Sequence, residues 1–483
     1  MLFPRFFGVG AVLVFCTALC YGQDTSNIKI TPTARAAMEF GQVISGFDHG
    51  LPIAHEAIDR IYLGTGVNAQ LGSRTTFAGN IEVKAFNEFP RDIKSGYTRR
   101  YYYYFYLTQA ELTRRVLDNY GLEMDVGGGY FPYKYNPNAS NLGEYLFRST
   151  AYPQTLTTEF EFPFARLAGL YARSSYTAGI NRINFDLLAT INTEWMAIGD
   201  LNLSTIASYN LAHIFELGAG AEFCSILSAD ENATTPTVSD YTKYLDGKDT
   251  AYYTFRGTKL MGRFSFDPKS VLPKCSLFGE RDLIIYGEAA FLGVKNYDVA
   301  VNSPIWYNSP LERMPVTLGI NWPVYQLLSY CVIPEVVGYY EEPLDSKKAV
   351  TAGICGATGI AAGVGSWLMD RWLHVNSKLD VLSIEAEWWG NRYPNNMKSI
   401  VWEGLPLPFP SGTKSIDSTT YKDDNVKWSI FGQKTFNSRF RLSFQLASDH
   451  MRTFAWDWYR QDWEEALRGP RNWYYMLRFG VMF

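Results

Sequence analysis

The last eleven residues of the chain, WYYMLRFGVMF (473–483), carry the pattern that decides the fold. Counting back from Phe483 in steps of two, every side chain is apolar or aromatic: Val481, Phe479, Leu477, Tyr475 and Trp473. The interleaved positions are mixed and include the charge of Arg478. Because successive side chains of a strand point to opposite faces, this stretch predicts a strand with one apolar face and one polar-tolerant face. Such a strand belongs either in a buried soluble sheet or in a wall with lipid on one side.

The same alternation recurs along most of the chain. In RINFDLLATINTEW (182–195), mostly apolar side chains at odd positions alternate with polar ones at many even positions. Period two over eight or more residues indicates a strand that is wet on one side and apolar on the other. The pattern predicts sixteen strands, at 38–47, 57–70, 74–87, 99–116, 121–132, 156–173, 181–195, 200–211, 213–226, 251–266, 281–293, 312–320, 379–390, 426–435, 439–449 and 473–483.

The start of the chain has the plan of a secretory signal peptide. Arg5 is the only charge before an apolar or small-residue run from Phe6 to Leu19, and Gln23 opens a polar stretch. A positive start, roughly 7–15 apolar residues and small residues before the cleavage site define such a signal. We predict cleavage after Gly22, with Cys20 as the alternative. The predicted domains are therefore a signal peptide at 1–22 and an exported domain at 23–483.

Composition narrows the class of the exported domain. Aromatic residues make up 16% of the chain and charged residues 19%, and the net charge is −4. A nucleic-acid partner would need a concentrated basic face, so none is expected. The mean hydropathy of −0.14 excludes a bundle of transmembrane helices. We predict an all-β, transmembrane antiparallel β-barrel of about sixteen strands, between roughly 14 and 18. A large secreted β-rich protein is the competing interpretation.

One apolar segment, 324–373, interrupts the strand pattern. It has no charge between Lys348 and Asp370, and it contains a GxxxG spacing at 359–363 that allows helices to approach closely. We predict a helical hairpin inserted between barrel strands, acting as a plug in the lumen or packing at the rim. Two further barrel strands are the alternative.

No pattern in the sequence indicates catalysis or a bound cofactor. The five histidines lack HxH and HExxH spacing, and the cysteines form no CxxC pair. GxSxG, GxxxxGK[ST] and nicotinamide-binding motifs are absent as well. Ser448 and His450 lie two residues apart and therefore on one strand face, which alone does not indicate a hydrolase. We predict a non-enzyme without cofactor or metal.

Charged residues on the polar faces of the predicted strands are candidates for lining a water-filled pore, because a channel needs polar groups facing water. These candidates are Arg182, Asp186, Glu194, Glu288, Glu385, Glu387, Lys427 and Arg441. The alternative is that they only solvate a barrel wall. In the loop at 133–154, Lys134, Glu144 and Arg148 lie beside several aromatic residues. If that loop folds inward it would constrict the pore; alternatively, it is a structural loop held by its aromatics.

Four consecutive tyrosines at 101–104 are interpreted as part of an aromatic girdle rather than a carbohydrate platform. A tyrosine ring is apolar and its hydroxyl is polar, which suits the surface of a bilayer.

Three stretches resemble the closing strands of porin-like outer-membrane proteins of Gram-negative bacteria: NVKWSIFGQKTF (425–436), FRLSFQLASDHMRTF (440–454) and RNWYYMLRFGVMF (471–483). The segment at 126–149 resembles a strand and inward loop of that group, and 379–395 another strand.

The resemblance implies a β-barrel in the outer membrane, contact with its lipid and passive passage of small solutes. It also implies that the barrel-assembly machinery reads the strand ending at Phe483, and it allows a homo-oligomer. The alternative function is a plugged barrel with a structural, adhesive or complex-scaffolding role.

Overall fold

The structure is a computed structural model. It describes residues 28–48, 51–87, 101–147, 165–191, 201–227, 257–271, 279–292, 314–322, 379–389, 425–454, 461–467 and 469–483. The strands within these residues are β1 (Ile28–Ser45), β2 (Phe47–Asp48), β3 (Leu51–Pro52), β4 (Glu56–Leu71), β5 (Thr75–Asn87), β6 (Tyr101–Asn119), β7 (Leu122–Tyr133), β8 (Ala165–Ala178), β9 (Asn181–Ile191), β10 (Leu201–Leu211), β11 (Phe215–Leu227), β12 (Gly257–Phe266), β13 (Ile285–Leu292), β14 (Pro315–Asn321), β15 (Val381–Trp389), β16 (Val426–Phe436), β17 (Phe440–Ser448), β18 (Arg452–Phe454), β19 (Gln461–Glu465) and β20 (Trp473–Met482).

Sixteen of these strands form one closed antiparallel barrel in which each strand pairs with its neighbours in chain order. The remaining four form two small two-stranded sheets, β2 with β3 and β18 with β19. The barrel closes where β1 pairs with β20. There the last residue, Phe483, donates its backbone N–H to the carbonyl oxygen of Ala34 at 2.8 Å. Closure leaves the barrel sheet without a free edge, so every barrel strand is paired on both sides.

The inner and outer faces of the barrel have opposite chemistry. Large apolar side chains such as Phe185, Leu318 and Leu477 are exposed on the outside, at 45%, 56% and 50%. Charged side chains such as Glu222 and Lys427 are buried on the inside. A soluble protein places these two classes the other way round. An apolar outer belt around a polar interior is the arrangement of a membrane barrel.

The two ends of the barrel differ in the length of their connections. Five connections at one end span only two or three residues: 72–74, 120–121, 179–180, 212–214 and 437–439. The connections at the other end are mostly longer, and the first residues of one of them, after β7, turn into the barrel. Two connections at the short-connection end are longer. One is 267–284 between β12 and β13, and the other runs between β14 and β15, leaving at Asn321 and returning at Val381.

The predicted insertion at 324–373 therefore joins the barrel at the short-connection end, and the segment itself lies outside the described residues. Among the described residues, no helix is long and apolar enough to cross a membrane. The predicted signal peptide at 1–22 also lies outside them.

Each of the sixteen predicted strands corresponds to a barrel strand, and the bounds differ most for the first and the sixth. The first begins at Ile28 instead of 38. Between the outward residues Ile30 and Met38 the same face carries only Pro32, Ala34 and Ala36, which interrupt the apolar alternation because proline disfavours strands and alanine is small. Pairing with β4 supplies the strand. The sixth, predicted at 156–173, is β8 at Ala165–Ala178, and 156–164 lie outside the described residues.

Candidate functional site: the lumen loop

Residues 134–147, which follow β7, fold into the barrel and are called the lumen loop below. Counted from β1 through β4, β7 is the fifth strand around the wall and β15 is the thirteenth. The two strands therefore stand on opposite sides of a sixteen-stranded barrel. Because the loop leaves β7 and bonds to Glu385 on β15, it crosses the interior. Its aromatic side chains Tyr135, Tyr145 and Phe147 are buried in an apolar cluster against the inner wall.

Glu288 on β13 is the first of three wall carboxylates that hold the lumen loop. It accepts hydrogen bonds from the Tyr135 hydroxyl at 2.6 Å and from Asn136 Nδ2 at 3.1 Å. It also accepts from the backbone N–H groups of Glu144 and Tyr145 at 3.0 and 2.9 Å. A buried carboxylate is costly unless it is hydrogen-bonded, and these donors satisfy both of its oxygens.

Glu385 on β15 is the second anchor. Three successive backbone N–H groups donate to its carboxylate, from Ser140 at 2.5 Å and from Asn141 and Leu142 at 2.9 Å each. The hydroxyl of Tyr286 on β13 donates to it at 2.7 Å. Backbone donors carry no side-chain identity, so this contact depends on the path of the loop rather than on its residue types.

Glu387 is the third anchor, and the strand period explains its position. It follows Glu385 by two residues and so faces the same side of β15. In the sheet register Glu288, Thr317 and Glu387 are cross-strand neighbours on β13, β14 and β15. The Tyr145 hydroxyl bonds Thr317 and also donates to Glu387 at 2.8 Å. Three adjacent inward positions thus form one row beneath the loop.

Glycine at two positions makes this packing feasible. A Cβ at Gly319 would lie 2.3 Å from the ring of Tyr286, so the absence of a side chain lets Tyr286 lie across β14 toward Glu385. Gly143 has φ of +98°, a conformation that side-chain-bearing residues rarely adopt. This turn presents the next two N–H groups to Glu288.

A second segment after β17, made up of residues 449–451, 466–467 and 469–470, also packs inside and is called the closing segment. Asp449 accepts hydrogen bonds from Asn141 Nδ2 at 3.0 Å and from the Tyr474 hydroxyl at 2.7 Å. His450 Nε2 lies 2.6 Å from a Glu387 oxygen. Lys427 donates to the Leu467 carbonyl at 2.5 Å. The lumen loop and the closing segment are therefore bonded to each other and to the same wall.

The carboxyl group of Glu144 has an unusual electrostatic setting within the lumen loop. It accepts backbone hydrogen bonds from Asn136 at 2.5 Å and Tyr135 at 3.3 Å. Burial, and next the charge of Glu288, raise the pKa of Glu144 from its ordinary 4.5 to about 8. Glu144 is consequently neutral at pH 7. Burial and Glu288 likewise raise the pKa of the Tyr135 hydroxyl.

The wall on the β1 side carries charges of both signs in pairs. Arg60 lies 3.3 Å from Glu39, and Arg35 forms an ion pair with Glu82. On β8 the Arg173 guanidinium lies 4.0 Å from the centroid of the Tyr171 ring, a cation–π contact. The described interior is therefore polar and mixed in charge, without a single-sign ring.

The predicted pore-lining residues divide into three groups. Five of them face inward, and each bonds either an inward-folded segment or Tyr133, the last residue before the lumen loop. These five are Asp186, Glu288, Glu385, Glu387 and Lys427. Arg182 and Arg441 are exposed near the short-connection end. Glu194 lies outside the described residues. That all eight line a conducting path stays a prediction.

The predicted constriction residues are placed as follows. Lys134 donates to the Ala139 carbonyl within the lumen loop, and Glu144 bonds the loop backbone as described above. Arg148 lies just beyond the described residues. The described part of the loop, 134–147, folds inward and its aromatics are buried, so both arrangements considered for 133–154 have a counterpart in it. That it constricts a pore stays a prediction.

Sequence reasoning missed the anchoring role of the wall carboxylates and the whole closing segment. The available signal was the pair Glu385 and Glu387 on an otherwise apolar strand, which was interpreted as pore lining. No signal in the sequence indicates that their partners are backbone N–H groups of a distant loop.

Chemistry other than binding has little support in the described residues. They contain no group of three or more metal-ligating side chains. Ser448 donates to the Gly469 carbonyl at 2.9 Å, whereas His450 pairs with Glu387. The two residues therefore have separate partners and form no catalytic pair.

Comparisons with known proteins return structures only. No protein-family model and no curated protein sequence matches the chain. Among solved structures it is similar to a triple mutant of Rhodopseudomonas blastica porin, with 7% identity and a TM-score of 0.37, covering 94% of this chain and 100% of that one. It is also similar to a chain described as "Asymmetric conductivity of engineered proteins", with 7% identity, a TM-score of 0.36, and 95% and 100% coverage.

The class of the chain follows from its own architecture. A closed, antiparallel, sixteen-stranded barrel with an inward loop is a porin-like β-barrel.

Proposed function

We propose that the chain is an outer-membrane channel through which small polar solutes pass passively. The observation that carries the proposal is the lumen loop crossing a barrel that is polar inside and apolar outside. A polar interior lowers the cost of moving a hydrated solute across the bilayer, and an inward loop limits the size of the solute. No covalent chemistry is involved, and we expect no enzymatic activity.

The proposed pathway lies between the lumen loop and the parts of the wall that the loop does not cover. Solutes would meet paired charges of both signs there, so we expect weak selectivity between anions and cations. Of the predicted pore-lining residues, Arg182 and Arg441 are exposed near one mouth and would meet solutes directly.

The proposal includes a route to the membrane. The signal peptide at 1–22 would direct export, and the barrel-assembly machinery would read the terminal strand ending at Phe483. Outer-membrane lipid would then surround the apolar belt, and copies of the barrel would associate as a homo-oligomer. The mixed, weakly charged composition supports no nucleic-acid partner.

A second candidate function is a plugged barrel with a structural, adhesive or scaffolding role. The observation that favours it is the closing segment, whose Met451, Ala466 and Leu467 pack with Val43 and Tyr474 in a second apolar cluster at the inner wall. Two inward segments leave less of the interior for solute.

Planar-bilayer recording of the purified full-length protein separates the two functions. Discrete conductance steps would support the channel. A barrel that migrates as folded on gels yet stays electrically silent would contradict it and favour the plugged barrel.

Two deletions extend the measurement. Replacing the lumen loop by a short Gly-Ser linker should raise the step size at least about twofold, because the segment crossing the barrel is gone. Deleting 324–373 should raise it only if that insertion fills the lumen. An unchanged step in both variants would contradict size control by either segment.

A further inference from the structure

A cavity of about 380 Å³ opens on the inner wall of the barrel near the short-connection end. The inward-facing side chains around it come from four neighbouring strands, β1, β4, β5 and β6. They are Lys29, Thr31, Asn68, Gln70, Thr76, Ala78, Glu111 and Thr113. This volume is in the range of small-molecule pockets, roughly 300–1,000 Å³. We propose that this cavity, called the wall recess, binds small neutral polyhydroxylated solutes of the sugar class.

The sheet register arranges the recess as two adjacent rows. The members of each row are successive cross-strand neighbours on β1, β4, β5 and β6. The first row is Lys29, Gln70, Thr76 and Thr113, and the second row is Thr31, Asn68, Ala78 and Glu111. Cross-strand neighbours lie about 4.5–5.5 Å apart, so side chains of both rows can reach one small ligand. Ala78 in the second row is small and leaves the space that its neighbours surround.

The recess side chains are available for a ligand. Thr31, Asn68, Gln70 and Thr76 are exposed, and none of them makes a side-chain hydrogen bond to another described residue. This contrasts with the opposite wall, where inward polar groups such as Glu288 and Glu385 are bonded to the lumen loop. Open, unpaired polar groups around a cavity are what a binding site for a passing solute requires.

The charges of the recess favour a neutral ligand. Lys29 and Glu111 have opposite signs, so the recess has no net charge. Amide and hydroxyl side chains both donate and accept hydrogen bonds, as the hydroxyl groups of a sugar do.

One edge of the recess is held in place by bonded neighbours. Glu111 accepts from the Tyr171 hydroxyl at 2.5 Å and from Gln109 Nε2 at 2.7 Å, and Asn80 Nδ2 donates to Gln109 at 2.9 Å. Thr33 in turn donates to Asn80 at 3.2 Å. This chain of hydrogen bonds links residues of four strands, β1, β5, β6 and β8, so the edge is formed before a ligand arrives.

The inference rests on the proposed function, because the recess faces the lumen of the proposed channel. The test is saturation-transfer NMR with D-glucose on the full-length protein in a detergent without a sugar headgroup. Saturable binding is expected. Asn68→Leu and Gln70→Leu should each weaken binding about fivefold to tenfold, the loss expected from one or two neutral hydrogen bonds.

Gln433→Leu is the matched control, because Gln433 lies on β16 away from the recess and undergoes the same chemical change. It should alter glucose binding less than about twofold. Equal weakening in the control would overturn the recess as the site. D-gluconate and L-serine serve as anionic and zwitterionic probes, and tighter binding of either one would overturn the neutral class.

Bilayer recording on the same preparation keeps the two proposals apart. A conducting protein without saturable glucose binding would overturn the inference and leave the channel standing. A silent barrel that binds glucose with the expected variant pattern would support the recess and overturn the channel.

Discussion

Three carboxylates, Glu288, Glu385 and Glu387, link the wall of the barrel to the segments inside it. Each is buried, and each accepts hydrogen bonds from donors far away in the chain. A charge buried without donors would destabilise the fold by several kcal/mol. Donors on the lumen loop satisfy the wall, and the wall in turn fixes the path of the loop.

Removing one anchor should release the lumen loop. Glu385→Ala leaves three backbone N–H groups and the Tyr286 hydroxyl without that acceptor, a loss on the order of 3–5 kcal/mol in docking free energy. We expect a larger conductance step and faster trypsin cleavage after Lys134.

The control for this anchor variant is Glu123→Ala at the rim. Glu123 forms a partly exposed pair with Arg115 at 3.4 Å, worth about 0–1 kcal/mol. If both variants behave alike, the anchoring role is wrong.

Gly319 should tolerate no side chain, whereas Gly262 should. In Gly319→Ala the new Cβ would meet the Tyr286 ring at 2.3 Å, and that ring is held by its bond to Glu385. Overpacking of this kind lowers the free energy of unfolding by about 1–3 kcal/mol. At Gly262 a Cβ would meet nothing within 4 Å, so Gly262→Ala should change the free energy of unfolding little. Equilibrium unfolding in urea compares the two; equal effects would contradict the packing described.

At the level of structural elements, docking of the lumen loop against the barrel wall should depend on pH through Glu144. Docking buries Glu144 and places it beside Glu288, which together raise the pKa of Glu144 from 4.5 to about 8. Between these values the docked loop holds a proton that a released loop has lost. Docking therefore weakens as pH rises across this interval, by up to about 1.4 kcal/mol per unit, and stays constant above it.

Hydrogen exchange of the lumen loop, corrected for the intrinsic rate, measures this dependence. Protection should fall from pH 5 to pH 8 in the wild type. In Glu144→Gln the side chain is neutral throughout and its oxygen can still accept from Asn136, so protection should be flat over the same range. A fall of the same size in the variant would assign the effect to another group.

For the complete barrel, the outer belt should face lipid. Leu318→Arg places a charge in the middle of β14 on the outside. It should destabilise the barrel folded in vesicles, relative to the unfolded chain, by about 2–4 kcal/mol. Ile28→Arg changes an outward residue at the end of β1, where the cost should be about 0–1 kcal/mol. Equal costs, or greater solubility without detergent, would contradict a membrane location.

Much of the barrel was predictable because strand period is a local signal. All sixteen barrel strands were expected, and an inward path of the loop after β7 was one of two interpretations. The start of β1 was misplaced because Pro32, Ala34 and Ala36 interrupt the apolar alternation on its outward face. The anchors were recognised as inward charges but not as anchors, because a single strand does not reveal what lies across the barrel.

The sequence by itself determined two faces on every strand, one apolar and one polar. Side-chain alternation needs only neighbours in the chain, so it survives any uncertainty about pairing. Tertiary structure alone decided which inward groups meet. Asn141 and Glu385 are 244 residues apart, and they touch only because barrel closure puts β7 opposite β15.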